Sequence, residues 1–122
     1  MHSTHTLDGY QTLAARTNDH KDQTPKENMA MLSLGVAGEA GEVADYMKKV
    51  LFHLIPLDRE KLIKELGDVM WYVACLASKE GIPLSEVAYK NIEKLKARYP
   101  NGFTTEDSIK RADGELNDQD HD

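Results

Sequence analysis

One proline set between two long stretches of helical apolar period restricts this chain more than any other feature. Residues 27–53 place Met29, Leu32, Val36, Ala40, Val43, Met47 and Val50 three or four positions apart, and residues 59–79 do the same with Leu62, Leu66, Val69, Val73 and Leu76. That spacing belongs to an amphipathic helix. Between the two, "LIPLD" (54–58) breaks the pattern. Pro56 lacks an amide donor and disfavours helix at the residue before it, and Asp58 offers a side-chain cap to the helix that follows. So short a break returns the chain antiparallel, and the expected centre of the fold is a helix hairpin.

Two further helices flank it. "TLDGYQTLAARTN" (6–18) has a cap in Thr6 or Asp8 and carries Leu7, Tyr10, Leu13 and Ala14 on one face; a polar connection, 19–28, follows. "KEGIP" (79–83) ends the third helix, with Gly81 suited to the left-handed terminal position and Pro83 just beyond. The fourth helix starts at Pro83-Leu84-Ser85, runs to about Arg98 and stops at "YPNGF" (99–103). No strand or internal repeat is visible, so the expected class is all-α. Gly35, Gly38 and Gly41 each weaken the second helix by about 1 kcal/mol relative to alanine, which points to close approach by another helix or a ligand.

Four acids then stand out. At about 100° per residue, with Val36 at zero, the apolar stripe of the second helix centres near zero, Glu39 falls at about 300° on its shoulder and Glu42 at about 240°. With Leu62 at zero on the third helix, Glu65 and Asp68 fall at about the same two angles. Both pairs lie nearly equally far from the Pro56 break, so folding the hairpin should bring four carboxylates to one patch. Two like charges about 5 Å apart repel by about 3 kcal/mol at an effective dielectric near 20, so protonation, nearby bases or a cation must offset them. No histidine or cysteine shares the patch, and none of the five histidines shows metal-ligand spacing. Hard oxygen donors suit Mg²⁺ or Mn²⁺, with waters and phosphate oxygens completing the shell. The alternative is a pair of ordinary solvated helix faces.

On the fourth helix Lys90, Asn91, Lys94 and Arg98 share one arc, the arrangement needed to hold the outer charges of a metal-bound polyphosphate or, more plainly, a solvated basic face. Trp71 lies opposite the stripe of the third helix, placed for burial in a subunit interface or for stacking on a nucleobase.

Charge narrows the partners. The net charge is −6, but residues 106–122 carry seven acids and two bases while residues 1–105 carry 14 acids and 13 bases. The acidity belongs to a tail, expected to be disordered, and a domain is expected over 1–105. A nearly neutral body gives no support for a nucleic-acid polymer or an anionic membrane as partner. The lone Cys75 and an opening "MHSTHT" without basic start or apolar core suggest a cytoplasmic protein.

"LGVAGEAGEVAD", "ELGDVMWYVACLA" and "KNIEKLKARYPNGF" together resemble the MazG-like family of all-α nucleoside triphosphate pyrophosphohydrolases over roughly 30–103. The family's acidic pattern, EExxE followed by ExxD, is met at Glu39, Glu42, Glu65 and Asp68; Gly38 stands where the first acid would be, leaving one fewer possible ligand or base. The resemblance implies Mg²⁺-dependent conversion of a nucleoside triphosphate to the monophosphate and pyrophosphate. It also implies a homodimer or homotetramer whose helices complete a four-helix bundle. Glu39, Glu42, Glu65 and Asp68 would bind metal, with Glu39 or Glu42 acting on the attacking water, Glu39 the first choice. Lys90, Asn91, Lys94 and Arg98 would contact phosphates, and Tyr10, Gln11 and Trp71 the nucleoside. Related branches hydrolyse phosphoribosyl-ATP or dUTP, and a non-catalytic oligomeric nucleotide-binding module is the other reading. A di-iron bundle is disfavoured, since the chain has no Glu-x-x-His pair.

Overall fold

Side-chain caps decide where the helices begin. In the computed structural model, which describes residues 3–110, the helices are α1 (Leu7–Ala15), α2 (Pro25–Phe52), α3 (Arg59–Lys79) and α4 (Leu84–Arg98). Thr6 caps α1 by accepting from the Gly9 amide. Thr24 and Glu27 form a reciprocal capping box with Pro25 in the first turn of α2, so α2 starts ahead of the residue 27 expected from apolar periodicity. Asp58 caps α3 as expected, accepting from the Glu60 and Lys61 amides. At the end of α3, Gly81 takes φ 67°, and the Gly81 and Ile82 amides return to the Ser78 and Ala77 carbonyls, a Schellman closure. The all-helical class holds: the described residues form no strand, only an isolated bridge between Pro100 and Gly102.

The chain divides into two compact units, Met1–Leu84 and Ser85–Asp122. In the first, α3 packs against both α2 and α1. The buried cluster of Ala14, Leu32, Ala74, Cys75 and Leu84 sits at the open end of the α2–α3 hairpin, with Tyr10, Met31, Trp71 and Tyr72 packed against it. Gln11 ties three segments together there. Its amide donates to the Ala74 carbonyl at 3.3 Å and the Ile82 carbonyl at 2.9 Å, and its oxygen accepts from the Leu84 amide at 2.8 Å. The α1–α2 connection is pinned by side chains: the Trp71 indole donates to Thr17, Lys79 meets His20, and the buried Asn28 bonds with Asn18 and Gln23.

In the second unit, α4 is followed by a helical stretch at 105–110, opened by Thr104, whose hydroxyl accepts from the Asp107 amide. The expected disordered tail therefore begins, at 106–110, as helix; the rest of it, 111–122, lies outside the described residues. No helix among the described residues is long and apolar enough to cross a membrane.

Of the stripe expected to face inward on α2, only Leu32 is fully buried. Val36, Val43, Met47 and Val50 are only partly covered and Ala40 is exposed, whereas the buried positions of α2 are Asn28, Leu32 and Tyr46. On the helical wheel used above these lie at about 280–320°, in line with Glu39. On α3, Leu66 is the exposed member of the expected stripe, and Ile63 and Met70 beside it are also exposed, all three at 45–50%. The most buried line of α2, its seam with α3 at Leu32, Gly35 and Tyr46, runs beside the centre of the apolar period rather than along it.

Candidate metal centre

Along that seam the two helices touch at three levels. Nearest the break, the Tyr46 hydroxyl accepts from the Asp58 amide at 2.8 Å and donates to the Asp58 carbonyl at 3.3 Å. Lys61 places its ammonium 4.8 Å from the centre of the Tyr46 ring. Nearer the open end, the Tyr72 ring lies against the bare Cα of Gly35, where any Cβ would collide with it; Trp71 meets the same ring edge-on, 4.9 Å between centroids. Gly38 and Gly41, which shared the expectation of close approach, have nothing within 4 Å of where a Cβ would stand. The close approach is Gly35's alone among the three.

Between these two levels lie the acids. Oxygens of Glu39, Glu65 and Asp68 stand within 4.8 Å of one another, with Glu39 and Glu65 partly buried and Asp68 exposed. Burial pushes the Glu39 carboxyl above the ordinary carboxylate range, and the charges of Asp68, Glu65 and Glu42 push it further. The trio is thus short of positive charge. Its donors are hard oxygens, close enough to share one ion and free of competing histidine or thiolate, so they fit a divalent cation such as Mg²⁺ or Mn²⁺. Glu42 is not in the trio. It is exposed, one turn along α2, where its charge also raises Lys49 behind the hydrogen bond and charge of Asp45.

The remaining predicted residues fall in different places. Tyr10 is partly buried, and burial, then Cys75 and Asp68, raise its phenol; it stands within electrostatic reach of the trio. Gln11 has both polar ends committed to backbone groups. Trp71 is partly buried with its N–H on Thr17 at 2.7 Å. Lys90, Asn91 and Lys94 are exposed on α4 and Arg98 is partly buried there, all in the second unit. Tyr46 and Tyr72 escaped the sequence reading because an aromatic at helical spacing reads as generic core. The available signal was their spacing from the acids: Tyr46 follows Glu39 by seven residues, and Tyr72 follows Asp68 by four.

Comparison with known proteins identifies the family. The profile of the MazG nucleotide pyrophosphohydrolase domain matches residues 23–103, a span that contains the trio, Glu42 and α4. The Gene 37 protein of Mycobacterium phage L5 is 41% identical over 80 residues, which cover 62% of this chain and 70% of the phage protein. No solved structure matches the chain.

Proposed function

Since the chain belongs to the MazG nucleotide pyrophosphohydrolase family, we propose that it hydrolyses a nucleoside triphosphate to the monophosphate and pyrophosphate with a divalent cation, Mg²⁺ or Mn²⁺, held by the seam acids. The observation that carries this reading is the convergence of Glu39, Glu65 and Asp68 oxygens within 4.8 Å. A bound divalent cation would supply charge neutralisation and Lewis acidity at the phosphate oxygens. Glu65 and Asp68 would hold it from α3 and Glu39 from α2, with Glu42, one turn along α2, the further carboxylate available to it. Glu39 is the first choice to take the proton of the attacking water, since it faces the α3 acids across the seam. That water adds at the α-phosphorus, the α–β anhydride bond breaks, and pyrophosphate leaves with the bridging oxygen. Lys90, Asn91, Lys94 and Arg98 provide donors for phosphate oxygens; Tyr10 and Trp71 are the aromatic candidates for the nucleoside.

The uncovered apolar side of the hairpin favours self-association. Leu66, Ile63 and Met70 on α3, with Leu51 and Phe52 at the end of α2, are 45–77% exposed, more apolar surface than a monomer comfortably leaves wet. A second copy pairing its own hairpin here would complete a four-helix bundle.

The deciding experiment is a panel of nucleoside triphosphates incubated with Mg²⁺, with products separated by chromatography. Monophosphate and pyrophosphate are expected in equal amounts. Binding without turnover would instead favour a non-catalytic module, and orthophosphate with diphosphate would refute attack at the α-phosphorus. A Glu42→Gln protein that kept ordinary turnover and metal dependence would remove Glu42 from the site.

A further inference from the structure

We propose that Tyr46 is a positioning residue for the carboxylate trio: its hydroxyl, clasping the backbone of Asp58, fixes the register in which Glu39 meets Glu65 and Asp68. The inference rests on reading that trio as a divalent-cation site. Tyr46 lies seven residues after Glu39 on α2, and Asp58 seven before Glu65 on α3. Seven residues are about two helical turns, so each clasping residue stands directly below its acid at about 10.5 Å along the axis. The lever arms on the two helices are equal, and the clasp sets both helices to one level and one rotation.

The hydroxyl is both donor and acceptor to a single residue, and that residue is the cap of α3. No other side chain of α2 is seen to bond the connection at 54–58; the close helix contact beyond the trio is Gly35 against Tyr72. With the clasp removed, the Tyr46 ring, the Lys61 ammonium over it and the short connection still join the helices at that end, but no side-chain hydrogen bond from α2 fixes their register there. A rotation of α3 by about 15° then carries a carboxylate at roughly 5 Å from the axis through about 1 Å, which is large beside the near-ideal geometry Mg²⁺ demands.

Tyr46→Phe keeps the ring and its packing and deletes only the clasp. The test is titration of the folded full chain with Mn²⁺ alone, without nucleotide, reading free ion by electron paramagnetic resonance well below the melting temperature. The variant is expected to bind about tenfold more weakly than wild type, the lower range for outer-shell partners of a metal site. A merely structural hydroxyl would lower the metal-free melting temperature and leave that affinity unchanged, and equal affinities would overturn the proposal. If wild type itself bound no Mn²⁺, the metal reading would fall, and this role with it. If Tyr46→Phe does not fold, the wild-type chain still decides. By reciprocity of coupling, saturating Mg²⁺ should slow hydrogen exchange of the Asp58 amide severalfold, and an unchanged rate would refute the clasp's part in ion capture.

Discussion

Under the proposed metal role, stability and function pull in opposite directions at Glu39. Its carboxyl is raised by burial and by Asp68, Glu65 and Glu42, so the folded chain holds that proton more tightly than the unfolded chain does. In the metal-free protein its contribution to stability is therefore complete below the ordinary carboxylate pKa and is lost as pH climbs through the raised value. Glu39→Gln is expected to raise the melting temperature of the chelator-treated protein at neutral pH and to flatten its fall with pH. If the trio binds Mg²⁺ as proposed, the same change should abolish most of the Mg²⁺-induced gain, which for wild type would be about 2.7 kcal/mol at a hundredfold excess over the dissociation constant. Melting curves in chelator and in Mg²⁺, at pH 5 and 7.5, check both halves. The acids themselves were legible in the sequence, because two pairs matched in angle and level are rare. The separation of Glu42 from the trio was not, because a wheel gives the angle of each Cα and not where the carboxylate oxygens end; the true seam, at about 280–320°, runs through Glu39 and leaves Glu42 about 40–80° to one side.

Helix by helix, the boundaries and the hairpin were readable from proline, glycine and capping residues, and α3 was placed to the residue. What misled was the assumption that the strongest apolar stripe of α2 faces its neighbour in the same chain. Leu32, Gly35 and Tyr46, displaced from the centre of that stripe, mark the face instead, and the seam owes its closeness to Gly35. Gly35→Ala gains helix propensity of about 1 kcal/mol but drives a methyl into the Tyr72 ring. The net expectation is a loss of about 1–3 kcal/mol, as for overpacking generally, with weaker Mn²⁺ binding as the helices part. Gly41→Ala meets nothing within 4 Å and should add about 1 kcal/mol without touching the metal. Denaturant unfolding of the pair separates the two roles of glycine in one helix.

Across the whole molecule, the acids, the clasp and the glycine contact all fall inside the stretch that matches the family, 23–103, while α1 falls before it. Yet α1 supplies Gln11, whose side chain occupies the Ala74, Ile82 and Leu84 backbone groups, and Ala14, part of the buried cluster. A fragment cut to the matched stretch would lose the Gln11 bonds to the Ile82 and Leu84 backbone groups, at about 0.5–1.5 kcal/mol for each hydrogen bond, and would uncover the apolar cluster that Ala14 helps to close. The borders of shared ancestry and the borders of a self-sufficient folding unit therefore differ here, and anyone shortening this protein for expression should keep its first fifteen residues.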